Sequence, residues 1–114
     1  MNTALTELHL HLDGSLNLPW AYKTALKRNV ISEETSFEDF YQILCGRDYK
    51  TLEEAFLKFD ITCDCMQTKE DLHDSAYYLV KDLSDQGLIY AEIRFASQQH
   101  CKKGLTQEEA VDAV

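Results

Sequence analysis

Basic residues are in short supply: 11 Lys and Arg stand against 20 Asp and Glu, a net charge of −9. Nucleic acid is held by a basic stripe along its phosphates, so this balance excludes a nucleic-acid surface. The tightest basic cluster, Lys23, Lys27 and Arg28, reads as the solvated face of a helix. No run of about 18 apolar residues is present to span a bilayer, and the N-terminus lacks the basic region and long apolar stretch of a signal peptide. The expectation is a cytoplasmic chain without membrane contact. Proline occurs once, at Pro19, far from every cysteine, which rules out a zinc site of the His-x-Glu and Pro-Cys-x-x-Cys type. Cys63-Asp64-Cys65 has the wrong spacing for a Cys-x-x-Cys pair. Without a secretory context, the four cysteines are expected as buried or idle thiols. Repeats, linkers and low-complexity stretches are missing as well. With 45% apolar and 27% charged residues, the 114 residues read as one globular domain, 1–114.

What is present is concentrated near the N-terminus, in Glu7-Leu8-His9-Leu10-His11-Leu12-Asp13-Gly14. Leu8, Leu10 and Leu12 alternate with His9, His11 and Asp13, the period of a strand whose successive side chains point to opposite faces. One face is leucine and the other is His, His, Asp. A rise of about 3.3 Å per residue sets the two His Cα atoms about 6.6 Å apart, close enough for both imidazoles to reach one ion at about 2.0–2.1 Å. The stretch therefore reads as half of a metal site, with a half-exposed antiparallel strand as the plain alternative. Gly14 supplies a backbone free to turn with positive φ where the strand ends.

Helix signals follow. Asn17 caps a helix with Pro19 in its first turn, running to about Asn29. Ser36-Phe37-Glu38-Asp39 opens a second, which ends at Gly46 and carries Phe37, Phe40, Tyr41 and Leu44 at helical spacing. Thr51-Leu52-Glu53-Glu54 opens a third, with Leu52, Phe56, Phe59 and Cys63 as one apolar stripe. Thr68-Lys69-Glu70-Asp71 opens a fourth, with Leu72, Ala76, Leu79 and Leu83 on one face, His73 on the surface and Gly87 at its stop. Leu88 to Phe95 is a strand, Ser97 to Gly104 a loop, and Thr106-Gln107-Glu108-Glu109 a further capping box. Strand, helical excursion and strand make a βαβ unit, which implies parallel pairing and a right-handed crossover. The last residues are expected to lie within an unfinished helix.

His9-Leu10-His11-Leu12-Asp13-Gly14-Ser15-Leu16 and Tyr90-Ala91-Glu92-Ile93-Arg94-Phe95 together resemble the adenosine deaminase family of zinc hydrolases. Ala55-Phe56-Leu57-Lys58-Phe59-Asp60 is a looser match to the family's lid-like segment, and Ser97 stands where the family usually has a proline. The resemblance implies an α/β fold, the N-terminal part of a parallel (β/α) TIM barrel with a helical excursion after the first strand. Two of its eight strands and four to five helices would be present, in a fold that takes about 250 residues. His9 and His11 would be two zinc ligands and Asp13 would bond the ribose 5′-hydroxyl. Phe56 and Phe59 would wall a purine pocket or simply pack. The activity implied is attack of zinc-activated water on C6 of adenosine, giving inosine and ammonia.

No catalytic acid is expected in this chain. The general acid and two further ligands would lie beyond Val114, so the chain alone is expected to be inactive and to hold zinc weakly. An adenine- or AMP-directed sibling and a non-catalytic α/β binding module remain as alternatives. Glu92 and Arg94, sharing a strand face, are expected to need an ion-pair or hydrogen-bond network inside a barrel. His100 falls on the loop after the second strand and is left outside the site. An exposed leucine face and an unpaired strand edge imply self-association through apolar surface.

Overall fold

A computed structural model describes residues 5–45 and 52–114, with side chains in the helix Leu52–Asp64 described from residue 58 onward. The capping box expected at Thr51, the glycine stop expected at Gly46, and the side chains of Leu52 and Phe56 lie outside the described residues. Strand β1 spans Leu5–His11 and β2 spans Leu88–Arg94. They pair in parallel, Leu10 beside Ile93 and His11 beside Arg94, as a crossover of this length requires. The Leu12 amide donates to the Arg94 carbonyl at 2.8 Å, extending the pairing one residue past β1.

Between the strands run α1 (Leu18–Lys27), α2 (Phe37–Cys45), α3 (Leu52–Asp64) and α4 (Lys69–Asp85). Each described helix start is fixed by a side chain taking up an otherwise unbonded amide. Asn17 accepts from the Trp20 amide, Ser36 from Asp39 and Thr68 from Asp71. Helix α1 ends two residues earlier than its sequence suggests. Asn29 adopts φ +58° and the Val30 amide bonds back to the Ala25 carbonyl at 2.8 Å, a helix stop with Asn in the usual glycine role. Gly87, at φ +89°, turns the chain from α4 into β2.

Ser97–His100 is a 3₁₀ turn rather than irregular loop, and α5 (Gln107–Ala113) begins with a reciprocal capping box between Thr106 and Glu109. The core lies between the helices and one end of the sheet. Leu12, Ala25, Phe40, Met66, Leu72 and Ala110 are fully buried in it. Leu72, Ala76 and Leu79 bury their expected stripe while His73 stays exposed.

Four expectations need correction. The leucine face of β1 is not uniform: Leu12 is buried but Leu8 is 57% exposed, because the helices cover only the end of the sheet near the turn. The α3 stripe divides, with Cys63 buried and Phe59 exposed, because α3 packs on α1 and the 3₁₀ turn rather than on the sheet. Gly14 does not use positive φ; a Cβ there would meet only His11 atoms at 3.8 and 3.9 Å, ordinary contact. Arg28 is not part of a solvated face, since it bonds buried Asp71 on α4.

Candidate functional site

The site is built where β1 runs into the turn before α1. Strand alternation brings His9 and His11 to the same side, and their Nε2 atoms converge to 3.0 Å with ring centroids 4.9 Å apart. Both side chains are exposed. The strand ends at His11, so Asp13 belongs to the turn, held by the Gly14 amide bonding to the His11 carbonyl and the Ser15 amide to Leu12. Asp13 nonetheless lines one open cleft of about 420 Å³ with His9, His11, Gly14, Ser15 and Phe59.

Phe59 and Asp13 also border a second, more enclosed cavity of about 190 Å³, closed by Leu16, Leu44, Lys58 and Thr62. The aromatic ring of Phe59 therefore stands between the His pair and a largely apolar recess. Lys58 lies over that ring, its Nζ 5.7 Å from the ring centre. Of the five expected site residues, His9, His11, Asp13 and Phe59 are brought together, and the side chain of Phe56 lies outside those described. Lys58 and Thr62 were not singled out by sequence. Their position follows from lying within one helical turn of Phe59 on α3, which composition does not reveal.

Two nitrogens of the same kind at 3.0 Å either share a proton or share a cation. A tetrahedral zinc with Zn–N of about 2.05 Å places its nitrogens about 3.3 Å apart, so the pair fits a single zinc ion with a small spread. Among the described residues no third His, Cys, Asp or Glu joins them to complete a metal-binding group.

Behind the turn lies a second layer. Gln67, almost fully buried, donates to the Cys63 carbonyl at 2.7 Å and the Gln99 carbonyl at 2.9 Å, and accepts from the Lys102 amide at 2.9 Å. It thereby ties the end of α3 to the loop that follows β2. His100, 1% exposed, packs against Phe95 and bonds the Met66 backbone, leaving Nδ1 without a partner among the described residues. Burial lowers its pKa from 6.5, against the opposing pull of Met66 and the Asp13 carboxylate. Burial also pushes the Cys63 thiol up to about 11, helped by Asp13, and the Cys65 thiol up to about 12. All four cysteines are free, and these two are inert by protonation as well as by access. On β2, Glu92 accepts from the Tyr90 hydroxyl at 2.9 Å, but both Glu92 and Arg94 are exposed and Arg94 has no ion pair among the described residues. Among the described residues this one hydrogen bond forms at the pair, on a sheet face open to solvent in this chain.

Residues 4–114 match the family model described as adenosine deaminase. The chain belongs to the adenosine deaminase family. It is 38% identical over 108 residues to the adenosine deaminase of Haemophilus ducreyi, covering 94% of this chain and 31% of that protein. It is 32% identical over 115 residues to that of Clostridium perfringens, covering all of this chain and 35% of the relative. The chain thus spans about a third of the length of these family members and corresponds to their N-terminal part. Among solved structures, it superposes on adenine deaminase from Arthrobacter aurescens with a TM-score of 0.77 at 24% identity, over 99% of this chain and 34% of that one. Arabidopsis ADAL complexed with IMP gives 0.68 at 22% identity, over 96% and 32%. These likenesses establish the fold, the opening part of a β/α TIM barrel. The carboxyl ends of barrel strands carry the active site in this architecture, and the turn holding Asp13 lies at that end of β1. Among the described residues no helix is long and apolar enough to cross a membrane.

Proposed function

We propose that this deaminase-family chain contributes the first two metal ligands and part of the nucleoside pocket of a zinc-dependent adenosine deaminase, as the N-terminal part of a single barrel domain. The convergence of His9 and His11 Nε2 at 3.0 Å on an exposed strand face carries this reading. Zinc held there would make water a nucleophile at neutral pH, as C6 deamination of adenosine to inosine requires. His9 and His11 would hold the metal through their converging Nε2 atoms. Asp13, at the rim of the cleft they line, is an acceptor for the ribose 5′-hydroxyl, and its negative charge disfavours a 5′-phosphate, which favours adenosine over AMP. Phe59 offers a ring face to the purine and screens the His pair from the apolar recess behind it. This chain supplies binding and positioning; the proton-transfer groups are expected beyond Val114. The reading carries a cytoplasmic purine-metabolic role with it.

The test is a chimera in which this chain replaces the matching residues of the Haemophilus ducreyi enzyme. Conversion of adenosine to inosine, loss of zinc and activity on His9→Ala or His11→Ala, and slower turnover of AMP than adenosine are expected. A folded, zinc-loaded chimera that leaves adenosine intact would overturn the proposal, and preference for adenine or AMP would reassign the substrate.

A further inference from the structure

We propose that Gln67 is a positioning residue for the nucleoside pocket: its buried amide clamps the end of α3 to the loop after β2 and so sets where the Phe59 ring stands over the cleft. The inference rests on the reading of Phe59 as the wall that meets the purine, and goes beyond it by naming what holds that wall.

Gln67 lies three residues past the end of α3 and is 3% exposed. Its Nε2 donates to the Cys63 carbonyl at 2.7 Å and to the Gln99 carbonyl at 2.9 Å, while its Oε1 accepts from the Lys102 amide at 2.9 Å. Two carbonyls on one side and an amide on the other admit a single orientation of this side chain, since a flipped amide would set its own oxygen against both carbonyls. All three partners are main-chain atoms. One planar group therefore fixes the last turn of α3, the 3₁₀ turn Ser97–His100 and the loop after it relative to one another.

Side chains reinforce the same seam. The Cys63 thiol donates to Gln99 Oε1 at 3.1 Å, and the Lys102 ammonium to Asp64 Oδ1 at 2.9 Å. The Lys102–Asp64 pair is solvated and therefore weak, which leaves the buried Gln67 amide as the main tie.

The clamp lies close to the wall it holds. Phe59 precedes Cys63 by four residues, about 6 Å along a helix of 1.5 Å rise, so a displacement at the clamp reaches the ring through one turn of α3. That ring borders both the cleft of His9, His11 and Asp13 and the recess behind it. The opposite wall of the cleft stands on β1, and the segment holding Gln99 and Lys102 follows β2, the strand paired with β1. Gln67 thus refers α3 to the same sheet that carries the His pair, and the loop after the second strand acts on the cleft through α3.

Loss of the clamp leaves α3 its own end, because the Cys63 carbonyl keeps the Met66 amide at 2.9 Å. Gln67→Met, of similar volume, cuts the tie to the loop and lets the wall shift. A wall that meets the purine equally in the ground and transition states affects KM and spares kcat.

The test is steady-state turnover of adenosine by the chimera carrying this chain in the Haemophilus ducreyi enzyme, with Gln67→Met, Phe59→Ala and the two combined. Each is checked for folding by circular dichroism and for zinc content. Gln67→Met is expected to raise KM about ten-fold, with kcat within about two-fold and zinc content unchanged. In the Phe59→Ala background, whose own KM is raised, the same substitution should add less than about two-fold, because the two residues act as a unit. An unchanged KM in folded Gln67→Met, equal rises in both backgrounds, or a fall in kcat with loss of zinc would overturn the proposal while leaving Phe59 as the purine wall. A silent Phe59→Ala, or a folded, zinc-loaded chimera without activity, would overturn the wall and the clamp together. If Gln67→Met does not fold, Gln99→Ala combined with Lys102→Met, both at exposed positions, removes the side-chain ties instead. Its KM should then rise about three-fold only when Phe59 is present, and no rise would overturn the proposal.

Discussion

Arg28 Nε donates to Asp71 Oδ2 at 2.7 Å, joining the end of α1 to the first turn of α4 across 43 positions of sequence. The Asp71 side chain is only 5% exposed, and the bond raises the Arg28 pKa above its ordinary value. Arg28→Met would leave a buried carboxylate without its cation, and the loss should be about 2 kcal/mol in a urea titration, below the usual cost because Arg28 is partly solvated. Lys27→Met, which removes a loose 3.9 Å pair with exposed Glu70, should cost less than about 0.5 kcal/mol. Equal effects of the two variants would refute this difference.

Gln67→Leu removes three hydrogen bonds at once, from Cys63, Gln99 and Lys102. A stability loss of about 1–2 kcal/mol is expected, since the Gln99 carbonyl and the Lys102 amide lose a partner in part-buried places while the Cys63 carbonyl keeps the Met66 amide. Amide exchange offers the sharper measurement: the Lys102 amide should lose its protection while the amides in the middle of α4 keep theirs.

Acid should weaken the fold through His100. Its folded pKa lies below 6.5, so the unfolded chain binds more protons than the folded one in the interval between the two. Stability is complete above about pH 6.5 and falls as the pH drops through that window. The urea midpoint of the wild type should decline between about pH 7 and 5 more steeply than that of His100→Gln, which cannot take up the proton. Parallel declines would assign the acid sensitivity to other groups.

Thiol labelling should sort the cysteines by burial. At mildly alkaline pH, exposed Cys45 should react with iodoacetamide first. Cys63 and Cys65, with pKa values pushed up to about 11 and 12, should be modified only after denaturation. Peptide mass mapping before and after urea reads the order directly.

Features that depend on a few neighbouring residues were open to reading from sequence. Asn17, Ser36, Thr68 and Thr106 each bond the amide three residues on, and Gly87 needs only its own backbone to turn. The alternation from Leu8 to Asp13 likewise shows the His pair, because strand geometry alone puts His9 and His11 on one side. What stayed hidden joins distant segments. Arg28 seen by itself resembles any helix-end cation, and only the arrival of α4 supplies Asp71. Gln67 gives no local sign that it fastens α3 to the loop after β2, nor His100 that it is buried. Gly14 shows the opposite error, a local rule applied where the turn closes without it.

The pairing of Leu5 with Leu88 also bears on how the chain reaches its fold. The strands meet across a loop of about 80 residues, whose closure costs about 2 kcal/mol more than that of a ten-residue loop. Helices with short-range contacts form before such a pairing can be rewarded. The His9 and His11 face, lying on the strand that must wait, is therefore expected to be among the last surfaces ordered during refolding. Stopped-flow circular dichroism should record helix before a probe on β1 reports its partner.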